Sequence, residues 1–223
     1  MPFSSVLGAS SAIKPGVCTS TTRPSVPYEG QLIYETDTDR VAAYNGSAWF
    51  YTHSSGLVFI TGSTFTNVTS VSLAANTFSS TYRNYKVVFV ADPVDNTSIT
   101  MRFRTGGVDD SSAFYNAGGR FVNNVGTQYD ITTSSGTALP LAFSVNGTSV
   151  QNAIDMTVFS PQLATRTEVT AQVTSASSAF AGVGGGLVGG GFNNATQFDS
   201  LSFISSVASS LTGSIRAYGL ADS

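Results

Sequence analysis

His53 is the sole histidine of the 223-residue chain, so a Ser-His-Asp hydrolase would have to use it as the base that a serine nucleophile needs near neutral pH. It stands beside Ser54, Ser55 and Gly56, and the chain has no Gly-x-Ser-x-Gly elbow. Glycoside hydrolysis needs two carboxylates about 5 to 9 Å apart across a sugar. Asp109 and Asp110 are chain neighbours that an extended strand points to opposite faces, while Glu29, Glu35, Asp37 and Asp39 crowd one short segment. Asp37-Thr38-Asp39 and Asp92-Pro93-Val94-Asp95-Asn96 offer oxygen ligands but have neither the length nor the closing Glu of a calcium loop, so both read as turns. Cys18, alone, rules out an internal disulfide framework or a cysteine-rich zinc site. The tract from Gly182 to Gly191 lacks the Gly-Lys-Ser/Thr ending of a phosphate loop and reads as a flexible or closely packed surface loop. The expectation is a protein without catalytic residues, metal or cofactor.

The elements that must position these residues follow from composition. Charged residues make up 10% of the chain and hydrophobic ones 41%, so Ser and Thr hydroxyls cover much of the surface. A net charge of −3 provides no basic stripe for nucleic acid. No apolar run approaches the roughly 18 residues of a membrane span, which argues against membrane insertion. Met1 to Leu7 has neither the basic nor the apolar region of a secretory signal, so folding in a reducing cytoplasm is expected.

Residues 1–28 hold Pro2, Pro15, Pro24 and Pro27 among Ser, Thr and Gly, a mixture that favours an extended arm over helix or paired strand. Residues 29–53 read as a three-stranded β-meander: Gln31 to Thr36, a turn at Asp37-Thr38-Asp39, Arg40 to Tyr44, a hairpin at Asn45-Gly46 where both residues tolerate positive φ, and Ser47 to Thr52. Three short strands bury too little to stand alone, and Tyr34, Tyr44, Trp49 and Tyr51 are expected to form an exposed apolar patch that packs on copies of the chain or on a partner.

Residues 54–223 read as an antiparallel β-sandwich, jelly-roll-like, which makes the whole chain all-β. Period-two alternation puts Ile99, Met101 and Phe103 on one face, and recurs in Leu141, Phe143 and Val145, in Ile154, Met156 and Val158, and in Val169, Ala171 and Val173. Tyr85 to Ala91 is apolar on both faces and reads as a central strand. Lys14 and Lys86 are the only lysines, so charge does not guard the sheet edges, and a homo-oligomer is expected to cover them.

Ile13-Lys14-Pro15-Gly16-Val17-Cys18-Thr19-Ser20-Thr21-Thr22-Arg23-Pro24, followed by Gly30 to Asp39 and by Tyr44-Asn45-Gly46-Ser47-Ala48-Trp49, resembles a module of structural proteins of tailed bacteriophages. Tyr82 to Val88 and Gly213 to Gly219 resemble such proteins in texture. The resemblance implies a virion protein assembled in the host cytoplasm and exposed on the particle. It implies a short homotrimeric tail fibre or fibre-like attachment protein that meets other virion proteins through its N-terminal arm and a host-surface glycan or protein through its sandwich. A capsid decoration (cement) or head-fibre protein is the alternative, and a carbohydrate-binding or carbohydrate-active module a third. The densest cluster of aromatic and planar polar groups outside the core alternation supplies the expected receptor residues Tyr115, Arg120, Asn123 and Tyr129.

Overall fold

A computed structural model describes residues 15–52, 56–94, 97–145, 151–177, 182–206 and 210–221. The chain divides into two compact units, with the boundary between Ser55 and Gly56.

The first unit is a four-stranded sheet in chain order: β1 (Gly16–Cys18), β2 (Leu32–Glu35), β3 (Arg40–Tyr44) and β4 (Trp49–Tyr51). The arm is therefore not wholly unpaired. Beyond Pro15 the amides are free to bond, and β1 lies parallel to β2 along an edge that would otherwise be open. In the β3–β4 loop Gly46 takes the positive φ of 91°. Asn45 instead contributes its side chain, whose Oδ1 accepts from the amides of Ser47 (3.0 Å) and Ala48 (2.8 Å).

The second unit is a sandwich of two antiparallel sheets. Its strands are β5 (Leu57–Val68), β6 (Ser70–Ser72), β7 (Asn84–Pro93), β8 (Thr97–Thr105), β9 (Val108–Asp109), β10 (Tyr115–Asn123), β11 (Gln128–Gly136), β12 (Leu139–Val145), β13 (Asn152–Phe159), β14 (Thr167–Ser177), β15 (Gly182–Phe192), β16 (Ser200–Ser205) and β17 (Leu211–Leu220). The larger sheet runs β11-β10-β15-β14-β13-β7-β17-β5, and the smaller β12-β8-β16-β6 with β9 on β8. Alternation decides which side chains go inside: Ile99, Met101 and Phe103 of β8 face Tyr85, Val87 and Phe89 of β7 in one buried cluster. Aromatic rings join the layers, with Phe89 of β7 stacked on Phe203 of β16 at 4.3 Å, and Phe103 of β8 stacks at 4.8 Å on Phe198 of the β15–β16 connection.

The glycine tract is not a surface loop. It is β15, an interior strand of the larger sheet, paired on one side with β10 and on the other with β14. The inference from composition fails because a strand accepts the entropic cost of glycine where close backbones leave no room for a side chain. Here the neighbouring backbones approach too closely for one: a Cβ on Gly184 would fall 2.4 Å from the Val122 carbonyl oxygen, and one on Gly190 would fall 2.4 Å from that of Asn116. Gly118 differs, since nothing lies within 4 Å of its Cβ position, and at Gly189 the nearest atom is 4.0 Å away.

Gly190→Ala is accordingly expected to destabilise the second unit by about 1–3 kcal/mol. Gly118→Ala should be neutral or stabilising by up to about 1 kcal/mol. Urea denaturation of the full chain followed by far-UV circular dichroism measures both, and equal effects would contradict the assignment.

Candidate binding surfaces

In the first unit a carboxylate organises one face of the sheet. Glu35 on β2 is fully buried and accepts hydrogen bonds from Arg23 Nε (2.5 Å), Thr38 Oγ1 (3.0 Å) and the Tyr51 hydroxyl (3.1 Å). The Arg23 bond holds the Glu35 carboxyl below its ordinary range against the opposing effect of burial, and the same bond raises the Arg23 guanidinium. Arg40 lies over the Tyr51 ring at 4.8 Å, and the Tyr44 and Trp49 rings meet at 5.3 Å. Asp37 is held low by Ser20, which donates from both its amide (2.8 Å) and its hydroxyl (2.6 Å). Asp39 accepts from the Tyr34 hydroxyl at 2.7 Å, which pushes that phenol up. Both carboxylates thus serve the turns around them.

The four aromatics expected as one patch are split by the sheet. Alternation and register put Tyr44, Trp49 and Tyr51 on the face of Glu35 and Ala42. Tyr34 lies on the opposite face with Val17, Leu32, Val41 and Phe50, and there the sheet is open: Val17 is 57% and Phe50 49% exposed. Strict alternation through Leu32-Ile33-Tyr34-Glu35 carries this signal in the sequence.

In the sandwich, two of the expected receptor residues prove structural. Tyr115 is buried, and its hydroxyl accepts from the Phe103 amide (2.9 Å) and donates to the Asp110 carbonyl (2.8 Å), so it joins the sheets and offers nothing outside. Burial pushes its phenol well up. Asn123 is buried at the β10–β11 turn, where its Oδ1 accepts from the amides of Val125 (3.2 Å) and Thr127 (2.7 Å). Arg120 remains exposed, ion-paired to Asp130 at 2.9 Å, and Tyr129 is half-buried opposite Phe121.

Asp109 accepts from Ser202 Oγ (2.9 Å) and lies 2.8 Å from Arg104 Nε, while Asp110 accepts from the Ser112 amide (2.8 Å). His53, Asp95 and Asn96 lie outside the described residues. Among the described residues no three His, Cys, Asp or Glu side chains gather as a metal cluster, and no helix is long and apolar enough to cross a membrane.

No protein-family model, curated protein or solved structure matches this chain.

One depression of the sandwich was missed by sequence reasoning. On the outer face of the larger sheet a trough of about 660 Å³ is floored by Gly118, Gly189 and Gly191 and walled by Asn116, Ser134, Phe159, Arg166, Glu168 and Asn193. A second hollow of about 420 Å³, bordered by Lys86, Asp155, Gln172 and Leu187, shares Thr170 and Gly189 with it. The trough exists because β10 and β15 present paired glycines, Gly118 opposite Gly189, where neighbouring strands present side chains.

The depressed carboxyl of Glu35 contributes, with that of Asp37, to the pH dependence of the first unit. Its contribution to stability is full above the unfolded carboxylate pKa of about 4.3 and is lost as pH falls through the lower folded value. Fluorescence of Trp49, the one tryptophan of the chain, reads this unit selectively. Its urea midpoint should fall on acidification below about pH 4, and Glu35→Gln should lower the midpoint at neutral pH and flatten the profile. A wild-type midpoint unchanged down to pH 3 would contradict it.

Proposed function

We propose that the chain is a non-enzymatic structural protein of a tailed-bacteriophage virion, a short homotrimeric fibre or fibre-like attachment protein. In this reading the first unit docks and assembles it and the sandwich faces the host surface. The observation that carries the reading is the open face of the first unit. The described residues that resemble the phage module, from Pro15 on, belong to a separate compact unit built on a small sheet, and Val17, Leu32, Val41 and Phe50 leave one side of it uncovered. A sheet of this size is marginal alone, and an apolar side of this kind is what an assembly interface requires. The sparse ion pairing of the sandwich suits a particle protein that carries its surface on Ser and Thr hydroxyls instead of charge.

Light scattering on the full chain should give three times the chain mass of 23.1 kDa. Phe50→Asp should shift it to the monomer while leaving the far-UV spectrum of the sandwich intact. Antibody against the sandwich should label intact particles by immunogold microscopy. A monomeric wild type, or unlabelled particles, would overturn the proposal.

A further inference from the structure

Of the trough's floor, Gly191 is required by backbone packing, since a Cβ there would fall 2.2 Å from the Thr167 carbonyl oxygen, but Gly118 and Gly189 are not. Inward of the trough, Gly184, Gly186 and Gly190 are required, because a Cβ on any of them would fall 2.4 Å from a neighbouring carbonyl oxygen. At Gly118 and Gly189 a side chain would meet only open space, so the fold gives no steric reason for two glycines that weaken their strands. What their absent side chains provide is room for something outside the molecule.

The walls limit what that can be. Every floor strand is interior to the sheet, with β10 between β11 and β15, and β15 between β10 and β14, so the main chain has no free row of donors and acceptors for a peptide adding as a strand. Arg166 and Glu168 bring one charge of each sign, a poor trap for a phosphate or a polyanion. Of the trough's lining only Phe159, 37% exposed, is a large exposed apolar side chain, and Ala117 packs inward on the core, which leaves too little for a lipid chain. The remaining groups are hydroxyls and amides: Thr133, Ser134, Thr170, Asn193 and Asn116, whose Oδ1 is engaged by the Ser135 amide at 2.9 Å, leaving its NH₂ to donate. One exposed ring among groups that pair with hydroxyls in both senses, in a volume within the range of ligand sites, is the recognition chemistry of a sugar.

We propose that the trough binds a neutral oligosaccharide, with one residue of the chain over Gly118 and Gly189 against Phe159, and the next extending toward Thr170, Gln172 and Lys86 in the adjoining hollow. This assignment rests on the reading of the sandwich as the host-facing part and names the ligand class of that part.

The probe is a printed array of neutral and acidic bacterial-surface polysaccharides, read with full-length labelled protein. Each hit is then titrated calorimetrically as its purified polysaccharide. At least one neutral polysaccharide is expected to bind, with affinity reduced about tenfold or more by Gly189→Tyr, which fills the floor, and independently by Phe159→Ala and by Thr170→Ala. Val108→Ala, an exposed position on β9 of the smaller sheet, should leave it unchanged. Unaltered melting temperatures in Phe159→Ala and Thr170→Ala keep the comparison valid should Gly189→Tyr fold poorly. Hits confined to acidic polysaccharides, no hits, or binding indifferent to all three substitutions would overturn the proposal. So would a Gly189→Tyr protein whose light-scattering mass drops, since the trough would then be a contact between copies. Particle labelling is independent of sugar binding, so the virion reading and the glycan assignment fail separately.

Discussion

The close approach of three backbones, β10, β15 and β14, is the constraint on which the sandwich depends. A strand of glycines contributes a full set of main-chain hydrogen bonds and almost no side chains, so its neighbours must fill the volume it leaves. On the inner side Phe121 does so at Gly184, where a Cβ would meet its ring at 2.6 Å. Towards the other end of the strand Tyr115, Phe192 and Phe198 gather with ring centroids 5.0 Å apart along the series. On the outer side nothing fills it, and the trough results. One stretch of sequence thus sets both the aromatic packing on its inner side and the trough on its outer side.

Much of the sandwich was legible because half-buried strands record their burial in every second residue. Ile154, Met156 and Val158 are fully buried, as alternation requires, and Tyr85 to Ala91 is indeed interior to its sheet, between β13 and β17. The glycine strand was illegible for the converse reason: a residue without a side chain carries no period, and its composition is that of a loop until the neighbouring strands are known. Tyr115 misled because a tyrosine at a strand start looks alike whether its hydroxyl meets solvent or bridges two sheets. What distinguishes the cases is the Phe103 amide, 12 residues away on another strand.

The first unit shows a different limit. Its strands and turns followed from local residue types, but the central interaction joins Arg23, from a stretch that reads as unstructured arm, to Glu35 on β2. A carboxylate at the end of a short strand looks solvated, and the partner brought in by the arm explains why it is buried instead. The same partner accounts for β1, since the chain that delivers Arg23 must first pass along the edge of β2.

The direction of the strands in that unit carries a mechanical consequence. β1 runs parallel to β2, β3 opposes it, and β4 returns to the original direction, so the chain enters at one end of the sheet and leaves at the other. Tension applied between Pro15 and Thr52 therefore acts along the strands, loading the hydrogen bonds of each pair together in shear instead of peeling them apart one by one. With Arg23 clamped to Glu35, the unit resists such a pull as a lap joint does, a geometry suited to a tether under load.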